Sequence, residues 1–525
     1  WRGPLLAPDD DYAISIEGGA PRPDPRSRWQ PAGVHGPSRW IEPRIATHRA
    51  PAIPLRDALI YELHVGTFTR EGTFVAATTH LDHLVELGVT HVELMPIAQF
   101  PGHHGWGYDG VDLFAAHAPY GGPPGLHALV RACHERGLRV IVDVVHNHLG
   151  PEGAYLTELG PYKTAAHRTP WGDAINLDAE GSGEVRRFLI DSALAWLAEY
   201  GADGLRLDAL HSLFDTSARH FVAELVDEVR ALERRLERPI ALIGEYDDHD
   251  PLAVTERPRG WGLDAHWNDD FHHAVHALLT GEHAGYYSDF AAPGTLEKVL
   301  ERGYALDGCH SPFRSGVHGR PYGDLPRDRL VAYVQSHDQV GNRGAGERLH
   351  HLCGLERAQL AAALLFVSPF VPMLFQGEEW AASTPFCYFA DLESPELREA
   401  VRRGREAEHA AAGWTTPPID PLDPATRSRC VLPWAERVQP PHAQMLGWYR
   451  QLAAARRAHP ELRDPAPGAT RARRTGDVLE IERGAIALVC NLGDAPARFA
   501  GGILLASRSL TRNELPPLTC ALVRR

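Results

Sequence analysis

Eight short apolar runs, spaced by helical stretches, set the narrowest limit on how this chain can fold. They are LIYELHV, VTHVELMPI, RVIVDVVHNH, GLRLDAL, IALIGEY, LDAHWND, LVAYVQSHD and VPMLFQGEEW, all beyond residue 56. Between them lie helix candidates such as TTHLDHLVELG, GLHALVRACHERG, EVRRFLIDSALAWLAEYG and ARHFVAELVDEVRALERRL. Several repeat apolar residues at i, i+3 and i+4 and end at a glycine able to close the last turn. Eight strands alternating with helices predict an α/β fold, a closed (β/α)8 TIM barrel. An open doubly wound sheet is the alternative. It would want a Gly-rich phosphate loop after its first strand, and HVGTFTREG is not one.

The texture divides the chain into three parts. Residues 1–55 are rich in Pro, Gly and Asp and carry one short strand candidate, YAISIEGG. They read as the tail of an N-terminal β domain, a β-sandwich remnant, with an extended linker. Residues 56–462 form the barrel, closed by the helix HAQMLGWYRQLAAARRAHP. Residues 463–525 return to strand-like texture and predict a small C-terminal β domain. The Pro-rich span 413–441 reads as an ordered barrel loop and not a domain linker.

Charge and cysteine usage exclude whole classes of partner. A net charge of -15 argues against nucleic acid or an anionic membrane surface and suits neutral ligands. The 7 cysteines form no CxxC pair, so neither a disulfide framework nor a structural zinc site is expected. Free thiols fit a reducing, cytoplasmic setting. No run of 18 apolar residues occurs, so no membrane span is expected.

Three acids sit where such a barrel builds its site, at the C-terminal ends of strands. Asp208 closes the fourth run, Glu245 the fifth and Asp338 the seventh. A lone acid there is also a good helix cap, the plainer reading for Asp208 and Asp338. Three on one rim are harder to explain as caps. Their mutual repulsion would hold one protonated to higher pH, which makes a general acid. A carboxyl pair is the machinery of glycoside hydrolysis, and acids on adjoining strands about 4.8 Å apart match the retaining geometry of about 5–5.5 Å. The segments HHGWGYDG and HWNDDFHH surround them with aromatic and polar groups suited to a carbohydrate cleft.

DVVHNH, GLRLD, IGEY and SHD, in that order, resemble the four signature segments of the α-amylase family of glycosidases. The resemblance implies a retaining double displacement on α-glucosidic bonds. Asp208 matches the nucleophile, Glu245 the acid/base and Asp338 the acid that stabilises the transition state. Arg206, His148 and His337 match partners of the sugar and the acids, and Tyr108 an aromatic platform. Two departures from the α-amylases stand out. Trp106 replaces a His before the Gly-Tyr of the platform. His211 and Ser212 replace a Lys-His pair whose His helps hold calcium, so no cofactor is expected and no metal should be needed for catalysis. The alternative is a calcium kept elsewhere by Asn147 and backbone carbonyls. Gly244 and Ser336 are small departures, from Ala and Asn.

Both larger changes look like the branching and trehalose-forming side of that family. DPRSRWQPAGVHGPS, HWNDDFHHAVHALLTGEHAGYYSDF, SHDQVGNR and LFQGEEWAASTPF are similar to its trehalose-releasing hydrolases. The resemblance implies cleavage of the α-1,4 bond next to the terminal trehalose unit of maltooligosyltrehalose, downstream of a maltooligosyltrehalose synthase. The trehalose unit would lie on the leaving-group side of Glu245, near His266, Trp267, Asn268, Asp269, Asp270, Gln339 and Asn342, with Trp106 and His211 as further substrate-binding candidates. Asp269 or Asp270 is the choice for its hydroxyls; the plainer reading is that they cap the helix near Phe271. The rivals are a glycogen branching enzyme, or another α-1,4-glucan-acting member, and a glucan-binding protein on an inactive barrel. The HDQVGN stretch favours the hydrolase, and an intact trio argues against an inactive barrel.

Overall fold

A parallel strand buried on both faces must place alternate side chains towards the barrel axis and towards the surrounding helices. The computed structural model, which describes residues 6–411, 418–511 and 513–525, shows this arrangement. Its strands are β1 Ile60–Leu63, β2 His91–Leu94, β3 Arg139–Val144, β4 Gly204–Leu207, β5 Ala241–Gly244, β6 Ala265–Trp267, β7 Leu330–Tyr333 and β8 Val371–Phe375. Each pairs in parallel with the next, and β8 closes on β1. The eight runs therefore become the eight barrel strands in order.

Helices α1 Leu81–Leu87, α2 Gly122–Glu135, α3 Ser182–Ala198 and α4 Phe221–Leu236 connect the first strands. Helices α5 Asp269–Thr280 and α6 Thr295–Arg302 follow β6, α7 Leu355–Val367 precedes β8, and α8 His442–Ala458 follows it. Between β5 and β6 there is only a 3-10 turn, Pro251–Ala253, in place of a full helix. Leu205, Leu207 and Leu242 join the large core between strands and helices. Ile60, Ile141, Ile243, Ala265, Trp267, Val331, Tyr333, Val371 and Met373 pack together as a separate interior core.

The same alternation carries charge inward one step higher. Two residues after Ile60, Ile141 and Ile243 come Glu62, Asp143 and Glu245. Arg206 lies between Leu205 and Leu207, so it shares the inward side of β4 while they face the helices. An apolar floor beneath a charged rim follows from strand periodicity alone.

The C-terminal part is a five-stranded antiparallel sheet. Its strands are β9 Thr470–Thr475, β10 Val478–Arg483, β11 Ile486–Asn491, β12 Gly502–Ala506 and β13 Thr519–Arg524. One face, with Leu479, Ile481, Leu488 and Leu522, is continuous with the barrel core; Ala487, Val489, Ala521 and Val523 form a second cluster. The N-terminal segment holds little strand. Among its described residues only Asp11–Tyr12 and Ser38–Arg39 pair, with one further bridge between Ile14 and Arg22. It runs along the barrel, where Arg22, Arg26 and Arg28 pair with Glu158, Asp191 and Glu199. The start of the Pro-rich span, 413–417, lies outside the described residues. Its remainder is ordered, with a helix Pro424–Arg429 capped by Asp423 and a 3-10 turn Trp434–Val438.

Arg456 fastens α8 to the barrel. Its buried guanidinium donates to the carbonyls of Phe366, Ser368 and Phe370 at 2.7, 2.8 and 2.6 Å, at the turn that leads into β8. That turn is at the end of the barrel opposite the strand C-termini. Arg456→Met should therefore lower stability by about 3 kcal/mol, the cost of buried carbonyls left unpaired. Urea denaturation should show the loss, with kcat/KM of the folded fraction unchanged.

Candidate active site

Arg206 sets the geometry of the barrel mouth. Its Nη1 donates to Asp143 Oδ1 and Oδ2 at 3.0 and 2.8 Å and to Asp208 Oδ1 at 2.6 Å. Its Nη2 lies 2.9 Å from Glu245 Oε2. Its guanidinium lies 4.3 Å from the ring centroid of Trp267, so an aromatic face supports it from one side. A buried charge is tolerable only when it is paired in this way.

The ladder continues one step past the strand ends and fixes two acids. The Asp208 amide donates to Val144 O at 3.1 Å, and the Glu245 amide to Leu207 O at 2.9 Å. Directly after Asp208 the chain turns sharply, with Ala209 at a φ of 40°. The Ala209 amide then reaches back to Glu245 Oε2 at 2.8 Å. Gly244 belongs to the same packing. A Cβ there would sit 2.5 Å from Leu210 Cδ1 and 2.9 Å from Leu263 Cδ1, so the glycine makes room for both leucines.

The two acids have opposite electrostatics. Burial disfavours the Asp208 carboxylate, but Arg206, His148 and Asn147 outweigh it and hold the pKa below the ordinary value. Asn147 Nδ2 donates to Asp208 Oδ2 at 2.9 Å, so both carboxylate oxygens are bound. For Glu245, burial wins over Arg206, aided by the nearby charges of Asp208 and Asp338, and the pKa is raised. Its Oε2 is anchored by Arg206 and Ala209, which leaves Oε1 to carry and transfer a proton.

Asp338 stands further from its strand than the sequence suggests. β7 ends at Tyr333, and Asp338 lies in a short helix His337–Gly341 whose cap is Ser336, not the acid. Asn342 Nδ2 donates to Asp338 Oδ1 at 2.6 Å, and Arg405 Nη1 donates to Asn342 Oδ1 at 2.9 Å. His337 is pinned by Glu62, with Nδ1 2.5 Å from Oε1, and its Nε2 meets the Tyr108 hydroxyl at 2.8 Å. Burial works against an imidazolium here, yet Glu62 prevails and raises the His337 pKa. Tyr108 donates to Asp143 Oδ2 at 2.7 Å and stacks on the His337 ring. His148 binds Asn147 Oδ1 and the Tyr108 carbonyl at 2.7 and 2.9 Å, and Trp171 stacks on it. Trp106 donates to Cys387 O at 3.0 Å and sets its ring edge against His337. His211 is half-buried beside Glu245.

The run after β6 divides by alternation and does not line the cleft as a block. Trp267 supports Arg206. Asp269 joins Tyr333 and Gln339 and senses Glu245 and Asp338. Burial pushes its pKa up to about 7. Their neighbours turn the other way. His266 is buried against the Tyr304 hydroxyl and Trp267 O, and Asn268 donates to Gly303 O at 3.1 Å. Asp270 is fully buried, with Oδ1 on His249 Nε2 at 2.6 Å and Oδ2 on the amides of Ala305 and Leu306. Neither Asp269 nor Asp270 caps α5; that position is Asn268, whose side chain makes no cap bond. Glu62 and Asp143 escaped the sequence reading. The signal for both was an acid spaced two residues from an inward Ile.

Comparison with known proteins places this geometry. The α-amylase catalytic-domain family matches residues 55–171. A malto-oligosyltrehalose trehalohydrolase of Arthrobacter ramosus is 48% identical over 94% of this chain and 87% of its own length. The one from Mycobacterium tuberculosis strain H37Rv is 46% identical over 93% and 86%. A branching enzyme of Nitrosospira multiformis is 35% identical over only 40% of this chain and 29% of its own. A crystallised Salmonella typhimurium chain, provisionally described as an alpha amylase, is 37% identical. It superposes with a TM-score of 0.91 over 99% of this chain and 91% of its own. The chain belongs to the malto-oligosyltrehalose trehalohydrolase family, on an α-amylase-type barrel.

Proposed function

We propose that this chain is a retaining glycoside hydrolase that cuts the α-1,4 bond next to the terminal trehalose unit of maltooligosyltrehalose. The products are trehalose and a shortened maltooligosaccharide. One observation carries the chemistry: a single guanidinium, Arg206, touches both acids, yet the pKa of Asp208 is held down and that of Glu245 is held up. Asp208 would attack the anomeric carbon as Glu245 donates its proton to the departing 4-oxygen of trehalose. Glu245 would then take a proton from the water that releases the glycosyl group from Asp208. Asp338 would face the positive charge that develops on the sugar ring. Near full-length identity to trehalohydrolases supports hydrolysis over branching, since similarity to the branching enzyme covers less than half of the chain. The substrate would come from a maltooligosyltrehalose synthase. No helix among the described residues is long and apolar enough to cross a membrane, and all seven cysteines are free, which fits a reducing cytoplasm.

Asp208→Asn should bring turnover below detection with the fold retained, and Glu245→Gln should cost about 10²–10⁴ in kcat, the usual worth of general acid-base catalysis. A slowly hydrolysed fluorinated glycosyl donor should label Asp208. A label on any other carboxylate would falsify the assignment.

The pH profile follows from the two shifts. Activity needs Asp208 ionised and Glu245 protonated. The acid limb of kcat/KM should lie below the ordinary Asp range and the alkaline limb above the ordinary Glu range. With an aryl maltooligoside whose leaving group needs no proton, Glu245→Gln should abolish the alkaline limb. Persistence of that limb would assign it to another group.

Asp269, beside Tyr333 and Gln339, would meet the hydroxyls of the leaving trehalose; Asp270, buried against His249, would not. Asp269→Ala should lower kcat/KM for maltooligosyltrehalose more than for plain maltooligosaccharide, by about 1–3 kcal/mol in the ratio. Equal losses on the two substrates would move the trehalose contacts elsewhere on the rim.

A further inference from the structure

Just beyond Glu245, the loop after β5 meets a hairpin formed by Cys309–Ser311 and Gly316–His318. Three donor atoms converge there. His249 Nδ1 lies 2.7 Å from the Asp247 carbonyl oxygen, His318 Nε2 lies 2.8 Å from the same oxygen, and the two nitrogens are 3.0 Å apart. This is nearly an equilateral triangle. Donors held at about 2.1 Å and at right angles around an ion lie about 3.0 Å apart, whereas tetrahedral donors lie about 3.4 Å apart. The triangle therefore has the size of one face of an octahedron. A carboxylate oxygen of Asp247 groups with the two histidines within 4.8 Å; Arg314 Nη2 donates to both carboxylate oxygens at 2.7 and 2.8 Å, so the carboxylate extends the set by exchanging that ion pair for the ion.

Two further observations concern His249 alone. Its other ring nitrogen, Nε2, faces the fully buried Asp270 carboxylate at 2.6 Å. A carboxylate behind a histidine orients the ring and raises its basicity as a ligand, and metal-binding histidines are regularly backed in this way. His249 also adopts a φ of 50°, a left-handed conformation that costs energy outside glycine and is kept where the surroundings impose it. Asp270 in turn is anchored by the amides of Ala305 and Leu306. Much of the local structure thus serves to aim one imidazole nitrogen at the triangle.

We propose that His249 Nδ1, His318 Nε2 and Asp247 form a binding site for a divalent first-row transition ion. The donor set, two imidazoles with oxygen, favours Ni2+ or Zn2+ over Ca2+ or Mg2+. The site is separate from the carboxyl trio and takes no part in bond cleavage. It joins the loop that follows Glu245 to the hairpin between β6 and β7, so an occupying ion would brace the leaving-group side of the cleft. It gives Asp270 a role that its burial denies it towards sugar.

The test uses tag-free full-length protein and Ni2+ alone at pH 8. Elemental analysis after gel filtration should find one Ni2+ per chain, calorimetric titration should give a Kd in the micromolar range or below, and the ion should raise Tm. His318→Ala should weaken binding at least tenfold while its metal-free Tm stays at the wild-type value, because His318 lies on a half-buried hairpin. Asp270→Asn should weaken binding by about 10–100-fold. Wild-type protein that retains no Ni2+, or His318→Ala that binds as tightly as wild type, would overturn the site and show a hydrogen-bonded histidine pair only. Neither result bears on the hydrolase reading, since the readouts are binding and melting.

Discussion

The barrel mouth depends on one buried cation. Arg206 is 1% exposed and lies beneath three carboxylates, Asp143, Asp208 and Glu245. Without it the inward acids of β3, β4 and β5 would repel one another inside a low-dielectric shell, where unpaired charge is most costly. With it, each acid has a fixed direction. The bond from Nη1 to Asp208 and the contact from Nη2 to Glu245 make one planar group the ruler between them. Lysine would supply the charge without that fork. The aromatic face of Trp267 completes the support, which accounts for a large apolar ring at the top of the interior core.

The barrel is legible in the sequence because its signal is repeated. Eight apolar runs at regular intervals survive errors of a residue or two at any one strand, and β5 with β6 still read as strands although no full helix joins them. The position of Arg206 is legible for a related reason. In GLRLD the side chains alternate, so Arg206 and Asp208 must share one side and Leu205 and Leu207 the other. Glu62 and Asp143 obey the same rule, but each is a single acid inside an apolar run, and its one mark, a spacing of two from an inward Ile, is weak within one short strand. Their role appears only when His337 and Arg206 arrive from distant strands.

The run HWNDDFHH shows where reading a segment as a unit fails. Proximity to a strand end puts a stretch of chain near the cleft, but alternation sends half of it away. Trp267 and Asp269 point to the axis; His266, Asn268 and Asp270 point to the layer containing Tyr304 and Gly303. The helix that begins at Asp269 does not restore them, since its first turn keeps Asp270 against the loop at Ala305. Asp338 shows the opposite case. It follows β7 by several residues, yet a short helix capped by Ser336 carries it back over the mouth.

The electrostatics of the mouth follow from an excess of acids over cations. Glu62, Glu93, Asp143, Asp208, Glu245, Asp269 and Asp338 gather around Arg206 and His337. Each added anion in this setting raises the cost of the next. Which acids are pushed up depends on how burial weighs against the charges and donors around each one. Glu93 has no partner on either oxygen, and burial drives its pKa far up. Burial lifts Asp143 to about 7 even against Arg206, and Asp269 to about the same value. Asp208, with Arg206 on one oxygen and Asn147 on the other, is the acid whose pKa is held below the ordinary value. Glu245 shares Arg206, and His211 also favours its carboxylate, but burial together with the charges of Asp208 and Asp338 prevails and raises its pKa. The division of labour between two carboxyls thus needs no special chemistry in either one. It follows from what each one meets: Arg206 and Asn147 on the two oxygens of Asp208, and burial with two neighbouring acids around Glu245.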